Sequence, residues 1–195
     1  VPKVVDHEGR RARIADATWR LIAEKGIEGT TMRAIAEAIG MANGSLKHYF
    51  PDKNSIIRMA FSHVFDATSR RVQERLDDRT GIAALRVFCE EIMPVADLTD
   101  LEARVVLPFW QRALADADLR RLYTGSMALW RGQIIEFLRQ GRGEGTVRTS
   151  TPDDVVAEQL LAMLNGLQLL ALLDAASGSA EVQRGTVEAF LASLG

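Results

Sequence analysis

The sequence of 195 residues predicts an all-α protein, with an N-terminal helix-turn-helix three-helix bundle followed by a larger helical C-terminal domain. Three observations carry that expectation. Apolar residues recur at three- and four-residue spacing almost throughout, with few alternating β-branched runs. Gly, Pro, Asp, Ser and Thr breakers separate blocks of helical length. The run from Thr30 to Lys53 reads as two short helices meeting at a glycine turn, with polar and basic groups left over.

The first helix is expected from about Glu8 to Lys25. Ile14, Ala17, Leu21 and Ile22 form its stripe, Trp19 lies beside it, and Gly26 and Gly29 close it. Thr31 is a natural N-cap for a second helix that buries Ile35, Ala36 and Ile39. Gly40 ends that helix, because a tight turn there needs the positive φ that glycine tolerates. A third short helix is predicted from Ala42 to Tyr49, with Leu46 and Phe50, four apart, pointing into a small core. Pro51-Asp52 stops it and starts a longer helix to about Val72.

Asp77, Asp78 and Gly81 then mark a boundary. The division expected is a head of residues 1–52, a linking helix of about 52–75, and a body of 76–195. Body helices are placed near 82–93, 100–115, 117–140, 153–176 and 180–193. Pro94, Thr99-Asp100, Asp116, the Gly141–Gly145 loop and Ser177-Gly178 separate them.

Composition bounds the function. A hydrophobic fraction of 47% supports a real core. The densest apolar run, Leu167 to Leu173, is interrupted by Gln168, so no membrane span is expected. Val1–Val5 lacks the apolar region of a secretory signal and an initiator Met, and is expected to be a trimmed end. Cys89 is the only cysteine, which excludes an intrachain disulfide and fits a reducing cytoplasm. Residues 1–75 hold 13 Lys/Arg against 9 Asp/Glu, and residues 76–195 hold 11 against 17. The overall charge of −2 therefore conceals a basic head on an acidic body, which suits a protein whose head alone meets phosphate.

Catalysis has little support. His7, His48 and His63 lack metal-ligand spacing, the lone cysteine excludes cysteine-rich zinc motifs, and no phosphate-binding loop or nucleophile elbow occurs. Neither a cofactor nor a metal is expected. An enzyme would need a perturbed acid-base pair in a pocket, for which Glu90, Glu91 and Glu136 are the candidates.

DNA recognition is better supported. Asn43, Gly44 and Ser45 are small enough to let a backbone approach a groove, and Lys47, His48 and Tyr49 follow them. Lys47 suits a phosphate or a guanine edge, Asn43 and Ser45 suit base edges, and His48 and Tyr49 suit phosphate oxygens. Thr31 and Arg33 open the second helix and Lys53 opens the fourth, where helix N-termini meet a phosphate backbone. Taken singly, each is an ordinary solvated position; their spacing makes them a set. A rival reading is an all-α small-molecule-binding or interaction module without DNA binding, with no positive potential around Arg33, Lys47 and Lys53.

The helix from 155 to 173 is apolar over much of its circumference, so it must be covered on more than one side. Its own core covers one side, and a second copy of the chain is the natural cover for the other. The interface residues expected are Leu160, Met163, Leu164, Gly166, Leu167 and Leu170. Asn165 and Gln168 must find partners there or line a pocket, and the interface is favoured for Gln168.

From Ile14 to Lys53 the chain resembles the N-terminal domain of TetR-family transcriptional regulators. The first-helix pattern Ile14, Ala17, Leu21, Gly26, the Gly29-Thr-Thr opening, the Gly44-Ser-Leu step and the Phe50-Pro-Asp-Lys exit arrive in order. The resemblance implies a homodimer whose first three helices bind an operator on double-stranded DNA and whose fourth links to an effector-binding body. It also implies that the last two helices pair between subunits. Lys47 departs from the Tyr usual in the family, and Ala42 from a small polar residue, so base preference does not carry over. The Arg139–Arg148 connection and Asn165-Gly166-Leu167 look most similar to the choline-responsive BetI-type branch. The central helices usually wall a small-molecule pocket in this family, which nominates Phe109, Trp110, Tyr123 and Trp130, with Pro108 kinking its helix to open room.

Overall fold

The computed structural model describes residues 7–47 and 49–195, apart from the side chains of His7, Glu8 and Asn43. Every regular element among them is helical: α1 (His7–Gly29), α2 (Met32–Ile39), α3 (Asn43–Leu46), α4 (Lys53–Leu76), α5 (Gly81–Ile92), α6 (Asp97–Ala113), α7 (Ala117–Gly143), α8 (Asp153–Leu173) and α9 (Ala180–Ala192). The expected class and element order hold.

Local chemistry explains the head. Gly26 breaks α1 with φ 69° and ψ 169°, so the last residues of α1 form a separate turn. Thr31 Oγ1 accepts from Ala34 N at 3.1 Å and caps α2. Gly40 ends α2 in the left-handed region at φ 66°, and Met41 N donates back to Ala36 O at 2.9 Å. Asp52 caps α4 reciprocally: Ser55 N donates to Asp52 Oδ1 at 2.7 Å, and Asp52 N donates to Ser55 Oγ at 3.3 Å. The third helix is shorter than expected, ending at Leu46 rather than Tyr49. Ala42 offers no side-chain acceptor at its start, and single turns carry the chain to Phe50, where Pro51 disfavours helix.

Two apolar clusters form the core. The head cluster holds Ile14, Trp19, Ile22, Ile35, Leu46, Phe50 and Ile57, but α6 also contributes Val105, Val106, Phe109 and Ala113. Phe109 lies flat against Phe61 of α4, with ring centroids 3.7 Å apart and planes 8° from parallel. It is fully buried there, which corrects its expected place in a ligand wall. Polar groups reinforce this junction. Asn54 Nδ2 donates to Asp116 at 2.6 Å, Arg112 donates to Asn54 at 3.2 Å and to Glu28 at 3.3 Å, and Lys53 also pairs with Glu28.

The body cluster joins Leu85 and Phe88 of α5, Ile134 and Leu138 of α7, and Leu191 of α9 to one side of α8. That side is Val156, Leu160, Leu164 and Leu167, each at most 5% exposed. Leu160, Leu164 and Leu167 are therefore occupied within the subunit, correcting their assignment to a seam between copies. Met163 is half-buried against the same core, while Leu170 is exposed and a side chain at Gly166 would meet open space. Val155, Leu169 and Leu173 of α8 and Val182 of α9 are exposed too. The helix Asp153–Leu173 is long and apolar enough to cross a membrane by length and composition, contrary to expectation, although its inner side is packed as core.

Candidate nucleic-acid interface and internal cavity

In the head, buried Leu46 and Phe50 anchor α3 and the turn after it, leaving Gly44, Ser45 and Lys47 exposed on one edge. Thr31 and Arg33 are exposed at the start of α2, and Tyr49 is half-buried against the head core. Thr31 uses its hydroxyl oxygen as the cap, Arg33 donates to Glu37 at 2.8 Å, and Lys53 is paired with Glu28. Lys47 has no ionic partner among the described residues. His48 and the Asn43 side chain lie outside the described residues. The candidate surface is thus small residues on a helix edge beside Lys47, a cation unpaired among the described residues, with the paired cations Arg33 and Lys53 flanking it.

A cavity lies between α4, α5, α6, α7 and α8. Its aromatic walls are Phe61 and Phe65 of α4, Trp110 of α6 and Trp130 of α7. Trp130 lies over Phe65 at 4.8 Å, meets Phe88 edge-on at 5.6 Å and donates its indole N–H to Ser69 Oγ at 3.1 Å, and these three contacts set the orientation of its ring. The free volume between these walls is only about 30 Å³, room for a water or two. The walls are nearly closed, and a ligand of several heavy atoms must part them.

Two carboxylates share this apolar space. Glu91 and Glu102 line the cavity at 7% and 6% exposure, and both are bonded to Arg71 of α4. Burial pushes the Glu102 carboxyl above the usual carboxylate range, and Arg71 only partly opposes it. Burial acts the same way on Glu91, but bonds from Arg75 and Arg71 together hold its carboxyl below the usual range. Glu102 is more deeply desolvated, Glu91 repels it, and it lacks the second guanidinium, so the two carboxyls shift in opposite directions. Gln168 also lines the cavity and donates to Ile92 O at 3.3 Å, so its expected place at an interface is corrected.

Of the four nominated ligand residues, Trp110 and Trp130 line the cavity and Phe109 does not. Tyr123 borders a neighbouring surface cleft, where its hydroxyl accepts from Asn165 Nδ2 at 3.2 Å; Asn165 and Met127 divide cleft from cavity. Of the acid candidates only Glu91 lies in the cavity, while Glu90 pairs with Arg75 and Glu136 with Arg139 outside it. Glu102 was missed, though its sequence carried a signal. It precedes Val106 by four residues and Phe109 by seven, which puts a charge on the buried stripe of α6. Arg71 follows Val64 by seven and Thr68 by three, and is its partner on the facing stripe of α4.

A helix-turn-helix head joined through α4 and α6 to a body with a narrow internal cavity is the architecture of a DNA-binding regulator. Comparison with known proteins bears on which kind. Residues 14–60 match the bacterial regulatory proteins of the tetR family, and residues 81–195 match the C-terminal region of BetI-type transcriptional repressors. The chain belongs to the TetR family of transcriptional regulators, with a BetI-type C-terminal region. It is 31% identical over 183 residues to the HTH-type transcriptional regulator PksA of Bacillus subtilis, covering 89% of this chain and 84% of that protein. It is 31% identical over 182 residues to the HTH-type transcriptional regulator BetI of Burkholderia lata, covering 89% and 87%. A transcriptional regulator from Saccharomonospora viridis, solved in complex with choline, superposes with a TM-score of 0.84 at 26% identity over 94% of this chain and 95% of that one.

Proposed function

We propose that this regulator is a homodimeric repressor released from its operator by a small organic cation, of which choline-like quaternary ammonium compounds are the first to test. The observation that carries the effector class is the pairing of aromatic faces with two buried carboxylates around one cavity. Aromatic faces attract a cation through the ring quadrupole, and desolvation strengthens both this and the pull of a carboxylate. The choline complex of the Saccharomonospora viridis protein supports the same class. We assign Glu91 and Glu102 to binding rather than to catalysis, since both are already fixed by Arg71. A cytoplasmic setting accords with a DNA partner.

Two subunits joined through the exposed side of α8 and α9, at Gly166, Leu169, Leu170, Leu173 and Val182, would present two copies of α3. In a pseudo-palindrome these enter successive major grooves roughly 34–36 Å apart. An effector that moves such a dimer from mostly binding to mostly released must prefer the released form by about 5 kcal/mol. A cavity that has to open to admit its ligand supplies a state for the effector to prefer.

Gel-shift titration of genomic fragments, with tetramethylammonium and choline as ligands and uncharged 3,3-dimethylbutanol as the control, tests the reading. The expected result is tight binding to a palindromic site, markedly weaker binding to one half-site, and release by the cations at concentrations about tenfold below that needed for the neutral isostere. Equal action by charged and neutral ligands overturns the effector class. Binding no tighter to any palindrome than to random DNA overturns the repressor.

A further inference from the structure

The two carboxylates in the cavity wall differ in how their charge is supported. Glu91 receives two guanidinium groups, from Arg71 Nε at 2.7 Å and from Arg75 at 2.6 Å. Glu102 receives one: Arg71 covers both of its oxygens, each bond 2.8 Å long, and the Thr68 hydroxyl adds a weak contact at 3.4 Å. Arg75 donates from its other terminal nitrogen to Glu90 at 2.7 Å. No other cation supports Glu102 among the described residues.

The groups on the remaining elements packed around it do not substitute. Glu91 of α5 repels it, α7 brings neutral Met127 and Trp130 to the cavity, and α8 brings neutral Asn165 and Gln168. Toward α1, the ionic contact of α6 is Arg112 with Glu28 at its far end, and Arg104 is held by Asp100 on the surface of α6 itself. Arg71 is not part of the cavity wall, so its fork grips Glu102 from outside the space a ligand would occupy.

We propose that Arg71 is a positioning residue for effector binding, holding Glu102 charged at the cavity wall so that a cation is bound across the neutral pH range. The proposal rests on the organic-cation reading of the cavity, and it deepens that reading by naming the residue that sets its pH range. The direction follows from the charge. A protonated Glu102 contributes no attraction, so affinity is present above its titration point and lost below it. Burial drives that point up, and without Arg71 nothing but Thr68 opposes the rise.

Two measurements on the whole 195-residue chain test this, using Arg71→Met, Arg71→Lys and Glu102→Gln. Carbon-13 NMR of the side-chain carboxyls, with Glu102 identified by its loss in Glu102→Gln, follows the titration without ligand. Arg71→Met is expected to raise the Glu102 titration by more than about one pH unit, and Arg71→Lys, which keeps the charge without the fork, to raise it by less. Calorimetric titration with tetramethylammonium at pH 6 and pH 8.5 is the second measurement. The unaltered protein is expected to change affinity by less than about threefold, and Arg71→Met to lose about tenfold per pH unit below its new titration point. An unmoved Glu102 titration overturns the proposal, and so does pH-independent binding in Arg71→Met, because Glu102 would then not be read by the ligand. A raised titration together with no tetramethylammonium binding to the unaltered protein instead removes the organic-cation reading and leaves Arg71 as the support of the Glu102 charge. Should Arg71→Met not fold, Arg71→Lys must show both changes in smaller degree, and its failure to do so overturns the proposal.

Discussion

At the scale of single residues, Lys47 and Arg33 would reach a phosphate from different starting points under the proposed function. Lys47 starts as a solvated cation, whereas Arg33 has to leave Glu37 at 2.8 Å. Replacing Lys47 with Ala is expected to weaken operator binding and to lower the magnitude of the slope of log K against log salt by about 0.9. The loss for Arg33→Ala should be smaller. Filter-binding titrations over a range of salt check both, and an unchanged slope for Lys47→Ala takes Lys47 out of the contact set. The cavity was only partly legible at this scale. Trp110 and Trp130 stand out as aromatics on central helices, but Phe109, beside Trp110 in sequence, turns to the head core instead. Core and cavity wall share one periodicity, so spacing alone cannot separate them.

Among the elements, glycines set two of the connections. Gly40 allows the left-handed turn between α2 and α3, and this was legible because the turn falls between two apolar stripes. In sequence Gly81 marks only a boundary, yet it does more. Its φ is 56°, and a Cβ there would lie 2.9 Å from the Gly141 Cα and 2.6 Å from Glu144 Oε2, so it lets α5 meet the end of α7 backbone to backbone. Gly81→Ala is expected to destabilise the protein by about 2 kcal/mol, from the left-handed strain and the backbone clash together. Thermal unfolding should show the midpoint lowered by about 4–8 °C, and a fall of less than about 1 °C would refute the close approach. The order of the helices was readable and their ends fell within about four residues, whereas the inner and outer sides of α8 were not readable. Leucine fills both sides, and only packing distinguishes Leu164 from Leu170.

For the whole molecule, the expected division into head and body cuts through a packed cluster. Val105, Val106 and Phe109 of α6 and Leu119 of α7 belong to the head core, although they lie well beyond residue 76. A fragment of residues 1–76 is therefore expected to lack a cooperative melt by circular dichroism, because Phe61 loses its stacked partner and the head core loses one wall. Cooperative melting of that fragment would show the head to be self-sufficient. Sequence order hides this sharing, since the contact between Phe61 and Phe109 joins segments that belong to different predicted units. The same stack constrains how such proteins are recombined. A chimera that grafts a relative's first four helices onto this body would mate a foreign Phe61 position with the native Phe109, so the operator preference of one regulator transfers cleanly to another only when the end of α6 travels with the head.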